Sequence, residues 1–503
     1  MRQLTSLDAQ FLALETPRAW GHVSGLAIYD PSSAPGGSLT QEDICRLVGE
    51  RIHLLPPFTQ KLVSIPFGLD HPYWADDPDF DLDFHIREIG LAPPGTDRQL
   101  AEQVARIVAR PLDRARPLWE LYLIRGLEGG RDALLTKVHH SAVDGVSGNE
   151  ILSVMLDLHP EGREIDPPAQ PRGGQRAPGE LSLVGRGLLG LPRHSMRVVS
   201  AVPTALANLD ALPVVSSIPG TRWVRRVAHR VAGALPGPLG EGDLLEAPKV
   251  QAPRTRFNGP ISAHRRLAFG SLPLDTVKAV KNELGVTVND VVVALCASML
   301  RAWFEERGEL PDQPLVAMIP VSVRTEAEQG TYGNRISAMF VPIPTDEPDA
   351  RRRIERAHEV LLVAKERHKA IPAELMQDAT QFVPPALMSS ASRVTTGLLA
   401  RSPLPPAVNL VISNVPGPRE SLYCAGAHLM AYYPVSTIID GAGLNVTVMS
   451  YRDHLDVGII ADREQLDDAW PMVDGMRAAL EEFHGLLRSD VAAAVSPPVL
   501  VSP

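Results

Sequence analysis

The residues with the clearest chemical potential are two adjacent histidines in the stretch TKVHHSAVDGVSGNE, residues 136–150. His139 and His140 are followed by Asp144 and Gly145. An imidazole, with an ordinary pKa of about 6.5, can remove a proton at neutral pH. Three interpretations are open at this point: a metal site, a catalytic base with its supporting residues, or a pair of structural histidines in the core.

The spacing of the two histidines argues against a metal site. They end the run DALLTKVHH, residues 132–140, whose β-branched and apolar content predicts a strand. Consecutive side chains of a strand point to opposite faces, so His139 and His140 do not bind one ion together. No third nitrogen or sulfur ligand follows at a spacing typical of zinc sites. We therefore expect no metal, one histidine facing a cavity, and the other packed or hydrogen-bonded behind it.

The predicted strand is followed by a turn and a helix, and these elements must position the pair. Ser147 and Glu150 form a capping-box pattern at the start of GNEILSVMLDL, which predicts a helix there. Gly145 allows the tight bend before this helix. Asp144 is too constrained for direct contact with the imidazole to be assumed, and we expect it to hold the turn through an arginine.

A second polar pair opens the predicted helix TVNDVVVALCASMLRAWFEERG, residues 287–308. Thr287 and Asp290 have the spacing of a capping box. Asn289 and Asp290 lie in the first turn, where unpaired N–H groups favour negative charge. This end of the helix, with the Asn289 side chain as a further donor, could stabilise an oxyanion. The alternative is that both residues only cap the helix.

A chain of 503 residues is too long for one compact core and predicts two domains. Segments typical of strands and helices are mixed in both halves, which predicts the α/β class. We predict an N-terminal domain at 1–160, a Pro/Gly/Arg-rich connector with amphipathic helices at 161–261, and a C-terminal domain at 262–503. The connector contains seven arginines and one acidic residue between positions 181 and 240.

One connector segment, TRWVRRVAHRVAG, predicts a basic amphipathic helix with its basic and apolar residues on opposite faces: Arg222, Arg225, Arg226, His229 and Arg230 against Trp223, Val224, Val227 and Val231. Such a helix can lie in a membrane interface. It can equally pack on its own protein and leave the basic face in water.

Composition excludes several other classes of protein. The net charge of −10 argues against nucleic acid as the main partner. The three cysteines form neither a disulfide framework nor a zinc pattern, which is typical of a reducing cytoplasm. No signal peptide and no run of 18 apolar residues is apparent. Contact with lipid, if there is any, is therefore expected to be peripheral.

The stretch HHSAVDG matches the HHxxxDG signature of the coenzyme-A-dependent acyltransferase superfamily, which includes chloramphenicol acetyltransferase and the condensation domains of nonribosomal peptide synthetases. Five further stretches resemble segments of the bacterial wax ester synthase/diacylglycerol acyltransferase family: SLDAQFLALETP (6–17), RPLWE (116–120), TVNDVVVA (287–294), IPVSVR (319–324) and SNVPGP (413–418). They occur in that family's order and span nearly the whole chain.

The resemblance implies two chloramphenicol-acetyltransferase-like domains with a tunnel between them. It implies transfer of a fatty acyl group from acyl-CoA to diacylglycerol, or to a long-chain alcohol, without a cofactor. His140 would be the base, His139 and Gly145 would shape the site, and Asp144 would be structural with Arg324 as its candidate partner. A membrane or lipid-droplet surface is the expected location of the lipid substrates.

The remaining stretches supply candidate wall and substrate residues. Pro117, Leu118 and Trp119 are expected to be packing residues, because a buried tryptophan usually belongs to the core. Ser413, Asn414 and Gly417 lie at a predicted strand-to-turn bend and could line the tunnel or only form the turn. Two other functions stay open: acyl transfer to another hydroxyl or amine, such as a polyketide alcohol or a carrier-bound substrate, and a catalytically silent lipid-binding protein.

Overall fold

The computed structural model describes residues 1–66, 70–142, 148–167, 251–322, 336–370 and 405–495. Asp144, Gly145, Ser147 and Arg324 lie outside these residues, as does the arginine-rich stretch 181–240. The predictions made for them therefore stay predictions.

The N-terminal part of the chain alternates short strands and helices. In chain order these are β1 (Arg2–Gln3), α1 (Ser6–Ala13), β2 (His22–Asp30), α2 (Gln41–Arg51), β3 (Gln60–Val63), β4 (Tyr73–Asp76), α3 (Leu82–His85), β5 (Ile86–Gly90), α4 (Asp97–Val108), β6 (Trp119–Arg125), β7 (Asp132–His139) and α5 (Gly148–Met155).

The C-terminal part begins with a strand and ends with a long helix. Its elements are β8 (Arg265–Pro273), α6 (Leu274–Leu284), α7 (Val288–Glu305), β9 (Leu315–Ser322), β10 (Ile336–Ile343), α8 (Ala350–Ala370), β11 (Leu410–Val415), β12 (Tyr423–Cys424), β13 (Ala427–Val435), β14 (Leu444–Tyr451), β15 (His454–Asp462) and α9 (Trp470–Val495).

Two mixed six-stranded sheets organise the described chain, which confirms the predicted α/β class. The first has the strand order β12-β13-β2-β7-β6-β5, and the second has the order β10-β9-β11-β14-β15-β8. The first contains one parallel pair, β5 with β6. In the second, β11 runs parallel to both of its neighbours. Strands β1, β4 and β3 form a separate small sheet.

Strand pairing crosses the predicted domain boundaries, because β12 and β13 belong to the N-terminal sheet although they lie within 262–503. Strand β13 pairs antiparallel with β2, with Val435 opposite Ser24. It covers the edge that β2 would otherwise expose, and its Leu429 and Val435 are buried. Residues 251–261, assigned to the connector, include Phe257 and Ile261, which are also buried in apolar clusters.

The stretches TQEDICRLVGERI (40–52) and DRQLAEQVARIVAR (97–110) have the apolar periodicity of helices, with Thr40 as the expected N-cap of the first, and α2 and α4 form there. Thr40 caps α2 in a full capping box, and the four predicted core residues Ile44, Leu47, Val48 and Ile52 are buried. The corresponding face of α4, formed by Leu100, Val104, Ile107 and Val108, is also buried. Gly285 ends α6 in the left-handed region at φ 66°, where a residue without Cβ is favoured.

One apolar cluster joins the two halves. It contains Leu100 and Val104 of α4 together with Leu267 and Phe269 of β8. At its rim, the Arg98 guanidinium lies 5.2 Å from the centroid of the Trp470 ring. Because the shared cluster is fully desolvated, it fixes how α4 lies against the second sheet.

None of the described helices is by itself long and apolar enough to cross a membrane. Only the consecutive segments Leu274–Glu283 and Val288–Glu305, which meet at 105°, reach that length and composition when taken together.

Candidate active site

Strand β7 carries the histidine pair to the edge of the site, as the sequence predicts. His139 is its last residue and lies opposite His22 of β2. The backbone N–H of His139 donates to Leu118 O at 2.9 Å, and that of His140 donates to Gly21 O at 2.8 Å. A further bond, from Ala142 N–H to His139 O, closes the turn that follows. The backbone on both sides of the two histidines is therefore held.

His139 is 2% exposed, and both of its ring nitrogens have partners. The backbone N–H of Ser141 donates to Nδ1 at 3.1 Å. The Ser141 hydroxyl lies 2.7 Å from the same nitrogen. Nε2 donates to Glu15 Oε1 at 3.1 Å. The ring is thereby fixed in one orientation.

Glu15 is the carboxylate that holds His139. Its Oε1 also accepts the Gly21 N–H at 2.8 Å, and its Oε2 pairs with Arg114. Burial alone would raise the pKa of Glu15, but the hydrogen bond and attraction from His139, with the Gly21 and Arg114 bonds, lower it to about 2. Glu15 is therefore ionised at neutral pH and is a permanent acceptor for the His139 ring.

His140 has different surroundings from His139. Its ring is half-buried and stacks on Phe11, with 4.5 Å between ring centroids and 8° between ring planes. Burial, with a smaller contribution from His139, lowers the pKa of His140 to about 4. The imidazole is neutral at physiological pH, and a neutral imidazole has a nitrogen lone pair with which to accept a proton.

Three residues of the N-terminal stretch, Phe11, Glu15 and Gly21, complete this arrangement, and no site role is predicted for them from the sequence. A Cβ at Gly21 would stand 2.8 Å from His139 Nε2 and 3.0 Å from Phe11 O. Only glycine leaves room for the ring here. The signal was present, because Phe11 and Glu15 lie within SLDAQFLALETP, but their distance in sequence from the histidines concealed the contact.

Three side chains of this region bind the carbonyl end of α4. Lys137 Nζ donates to Arg110 O at 2.7 Å, His22 Nε2 donates to Val108 O at 2.8 Å, and Trp20 Nε1 donates to Ala109 O at 3.0 Å. Burial lowers the pKa of Lys137 to about 8, although Glu120 opposes the shift. Positive charge is favourable at a helix C-terminus. Strand β7 is thus tied to α4, the helix that packs against the other half.

The PLW stretch lies beneath the pair. Leu118 is fully buried, and its carbonyl receives the His139 N–H. Trp119 is 2% exposed, donates from Nε1 to Phe58 O at 2.8 Å, and stacks on His85 with 4.4 Å between centroids. These contacts are those of packing residues. Pro117 precedes them as a buried residue.

The ND pair lies at the start of α7, where a full capping box with Thr287 is confirmed. The Asp290 carboxylate accepts the Thr287 N–H at 2.8 Å and bonds His358 Nδ1 at 2.7 Å. Asp290 is thus engaged as a cap, and a carboxylate cannot donate to an oxyanion. The half-buried Asn289 has no hydrogen bond from its side chain within the described chain, so its amide is free to donate.

Ser413 and Asn414 lie on β11, opposite Thr447 and Val448 of the parallel strand β14, and both are half-buried. Gly417 follows, and a Cβ there would stand 2.0 Å from Ser450 O, so glycine is required for the close approach of the two segments. No hydrogen bond or ring contact joins these residues, or Asn289, to His140 within the described chain. Their grouping around the base stays a prediction.

The site therefore brings together a neutral imidazole, a second histidine held by a carboxylate, and an aromatic ring. This set can remove a proton from a hydroxyl and return it to a leaving group. Within the described residues, no group of three His, Cys, Asp or Glu side chains is placed to hold a metal ion.

Comparison with known families identifies both parts of the chain. Residues 4–292 match the model of the wax ester synthase/diacylglycerol acyltransferase catalytic domain. Residues 332–484 match the C-terminal domain of the same family. A Mycobacterium tuberculosis protein named as a diacylglycerol O-acyltransferase is 36% identical over 487 residues, which cover 96% of this chain and 90% of that protein. Another, from the same species, is 32% identical and covers 95% and 97%.

Solved structures show the same fold. The wax ester synthase/diacylglycerol acyltransferase of Marinobacter aquaeolei VT8 is 29% identical, with a TM-score of 0.65 and coverage of 96% of this chain and 99% of that one. The first condensation domain of the calcium-dependent antibiotic synthetase is 14% identical, with a TM-score of 0.52 and coverage of 97% and 96%. The second likeness concerns the fold alone.

Proposed function

This chain belongs to the wax ester synthase/diacylglycerol acyltransferase family and is an acyltransferase, and we propose that it moves a long-chain fatty acyl group from acyl-CoA to diacylglycerol. Long-chain alcohols are the second proposed acceptors, giving wax esters. The proposal needs no cofactor, because the thioester of acyl-CoA already carries an activated acyl group. The names of the mycobacterial relatives support diacylglycerol as the main acceptor.

The observation that carries the mechanism is the neutral ring of His140 beside the end of β7. His140 takes the proton of the acceptor hydroxyl as its oxygen attacks the thioester carbonyl. The tetrahedral intermediate then collapses, the C–S bond breaks, and the imidazolium returns the proton to the CoA thiolate. The proton that His140 takes from the acceptor hydroxyl leaves with CoA, so His140 is neutral again after each turnover and no second proton donor or acceptor is needed.

The other residues of the site have supporting roles in this proposal. Glu15 and His139 keep the turn after β7 in place, and so place His140. Asn289 donates to the oxyanion from the first turn of α7. Ser413 and Asn414 line the acyl passage between the two halves. Asp144 and Gly145 shape the loop after His140, with Arg324 as the partner of Asp144.

The physical state of the acceptor decides where the enzyme works. Diacylglycerol partitions into lipid, whereas acyl-CoA is delivered from water. We therefore place the protein in the cytoplasm, with peripheral contact to the inner face of the cell membrane or to lipid droplets. The basic stretch 181–240 is the proposed contact with anionic lipid.

The test is to incubate the protein with palmitoyl-CoA and either diacylglycerol or hexadecanol, and to follow free thiol and the ester product. Triacylglycerol formed faster than wax ester supports the proposal. Thiol release with hexadecanol alone would make the protein a wax ester synthase. Absence of thiol release with both acceptors would reject the proposal.

A further inference from the structure

The short segment Arg18–Gly21 connects α1 with β2 and touches both halves of the molecule. All four of its carbonyls have partners outside the segment, and that of Ala19 accepts the nearby Thr16 N–H at 2.9 Å. Arg18 O accepts from Arg265 Nη2, Trp20 O accepts from Thr437 Oγ1 at 2.8 Å, and Gly21 O accepts from the backbone N–H of His140 at 2.8 Å. Two of these bonds therefore come from the C-terminal half, and the third holds the proposed base.

The C-terminal bonds to this segment are buried. Ala19, between the two bonded carbonyls, is 5% exposed and belongs to the apolar cluster shared by the two halves. Arg265 is 7% exposed. Its remaining hydrogen bonds also go to backbone carbonyls, those of Ser262 at 2.8 Å and His264 at 3.1 Å. Within the described residues, no carboxylate lies within ion-pair distance of its guanidinium.

A small cavity lies beside these bonds. It is lined by residues of both halves: Trp20, His22, Val108, Arg265, Ser436, Thr437 and Ile460. Arg265 and Thr437 supply the hydrogen bonds from the C-terminal half to segment 18–21, whereas Trp20 Nε1 and the Gly21 N–H bind Ala109 O and Glu15 of the N-terminal half.

We propose that Thr437 and Arg265 are positioning residues, which set His140 through the backbone of segment 18–21. The C-terminal half would then supply part of the alignment of a base that the N-terminal half carries. The inference rests on the proposed function of His140. A change in the contact between the two halves would therefore shift the position of His140 through the backbone of residues 18–21.

The variant that tests this is Thr437→Val, which keeps the shape of the side chain and removes the hydroxyl. One lost hydrogen bond is expected to lower kcat about three- to tenfold, while KM for palmitoyl-CoA stays within about twofold. The pKa of His140, followed by NMR of the labelled imidazole, should rise by roughly half a unit or more, because a loosened ring is better solvated. Thr437→Ser retains the hydroxyl and should restore both values.

Ser33→Ala is the matched control. Ser33 Oγ also donates to a distant backbone carbonyl at 2.8 Å, that of Gly426, but does not touch segment 18–21. The Ser33→Ala variant should therefore have the kcat and the His140 pKa of the wild type. An equal loss in Ser33→Ala, or a Thr437→Val variant that matches wild type in both readouts, would overturn the inference. The NMR titration needs no substrate, so failure of the proposed function is recognised separately by absence of turnover in the wild type.

Discussion

At the scale of single residues, His139 and His140 differ in environment despite being neighbours. His139 is locked between Ser141 and the ionised Glu15, so it cannot leave its position without exposing a buried carboxylate. His140 stacks on the face of Phe11, and within the described residues its ring nitrogens make no hydrogen bond. The difference follows from strand geometry, which sends consecutive side chains to opposite sides.

Replacing the proposed base should have the largest effect of any single substitution. We expect His140→Ala to lower kcat by about a hundredfold to ten-thousandfold, the usual contribution of a positioned base. Thiol release from palmitoyl-CoA measures the change, and circular dichroism checks that the variant is folded. A folded variant with wild-type turnover would remove His140 from the mechanism.

The pH profile should report the low pKa of His140. The ring loses its proton-accepting form only as pH falls toward about 4. We therefore expect kcat/KM to stay level from about pH 8 down to about pH 5 and to decline below that. An acidic limb centred near the ordinary histidine pKa, in enzyme shown by fluorescence to be folded, would contradict the buried environment described for His140.

The lowered pKa values of Glu15 and His140 predict a loss of folding stability in acid. Glu15 has a pKa lowered from 4.5 to about 2, so the stability it contributes is present above pH 4.5 and is lost as pH falls toward 2. His140 has a pKa lowered from 6.5 to about 4, so the unfolded chain binds more protons between those values and stability falls as pH falls through that range. Denaturant titrations at pH 7 and pH 5 should show a lower midpoint at pH 5. In His140→Phe, whose new side chain cannot be protonated, the midpoints at pH 7 and pH 5 should differ less than in the wild type.

At the scale of elements, the site depends on α1 and the segment before β2 fitting closely over the end of β7. The Phe11 ring stacks on His140, and the Glu15 carboxylate binds His139. Gly21 leaves space for the His139 ring because it has no side chain. Behind β7, Lys137, His22 and Trp20 bind the carbonyl end of α4. The histidine pair is thus held from the front by one element and from behind by another.

The fit at Gly21 gives a prediction at this scale. In Gly21→Ala, the new methyl group would meet His139 Nε2 at 2.8 Å and the backbone oxygen of Phe11 at 3.0 Å. We expect kcat to fall at least about tenfold and the free energy of unfolding to fall by about 1–3 kcal/mol, the usual cost of overpacking.

Gly49→Ala is the matched control for that variant. Gly49 lies inside α2, and a methyl group there meets only Leu82 at 3.7 Å. It should leave activity unchanged and raise stability slightly, since alanine is the better helix former. Activity of Gly21→Ala equal to that of Gly49→Ala would show that the His139 ring has room to move.

At the scale of the whole molecule, the two halves are interleaved. Strands β12 and β13 come from the C-terminal part and complete the N-terminal sheet. Tyr432 N–H of β13 donates to the buried Asp456 of β15 at 2.8 Å, which ties this crossing strand back to its own half. The apolar cluster between α4 and β8 adds a second connection. The halves are therefore expected to unfold together.

A truncation tests this. Residues 1–261 alone lack β13, so β2 keeps an unpaired edge and the buried positions of Leu429 and Val435 are vacant. We expect calorimetry to show one transition for the full chain and no cooperative transition for the fragment. A fragment that melts cooperatively near the temperature of the full chain would show that the N-terminal sheet is stable without β13. The two halves would then not depend on each other for folding.

The sequence by itself determined the parts of this protein that depend on neighbouring residues. The helix caps at Thr40 and Thr287, the apolar faces of α2 and α4, the strand that leads to the histidine pair and the left-handed Gly285 are all local features. The motifs also placed the chain in its family. These features need only the contacts of a few adjacent turns or alternating side chains.

Tertiary structure alone decided which distant residues meet. Glu15 binds a histidine 124 positions away, Thr437 binds Trp20 across 417 positions, and β13 joins a sheet whose other strands all precede it. No periodicity or spacing encodes such pairs, because they depend on which exposed edge and which apolar face remain free once the local elements have formed. The role proposed for His140 therefore comes from the motif in the chain, whereas the contacts that hold this residue in place come from the tertiary structure.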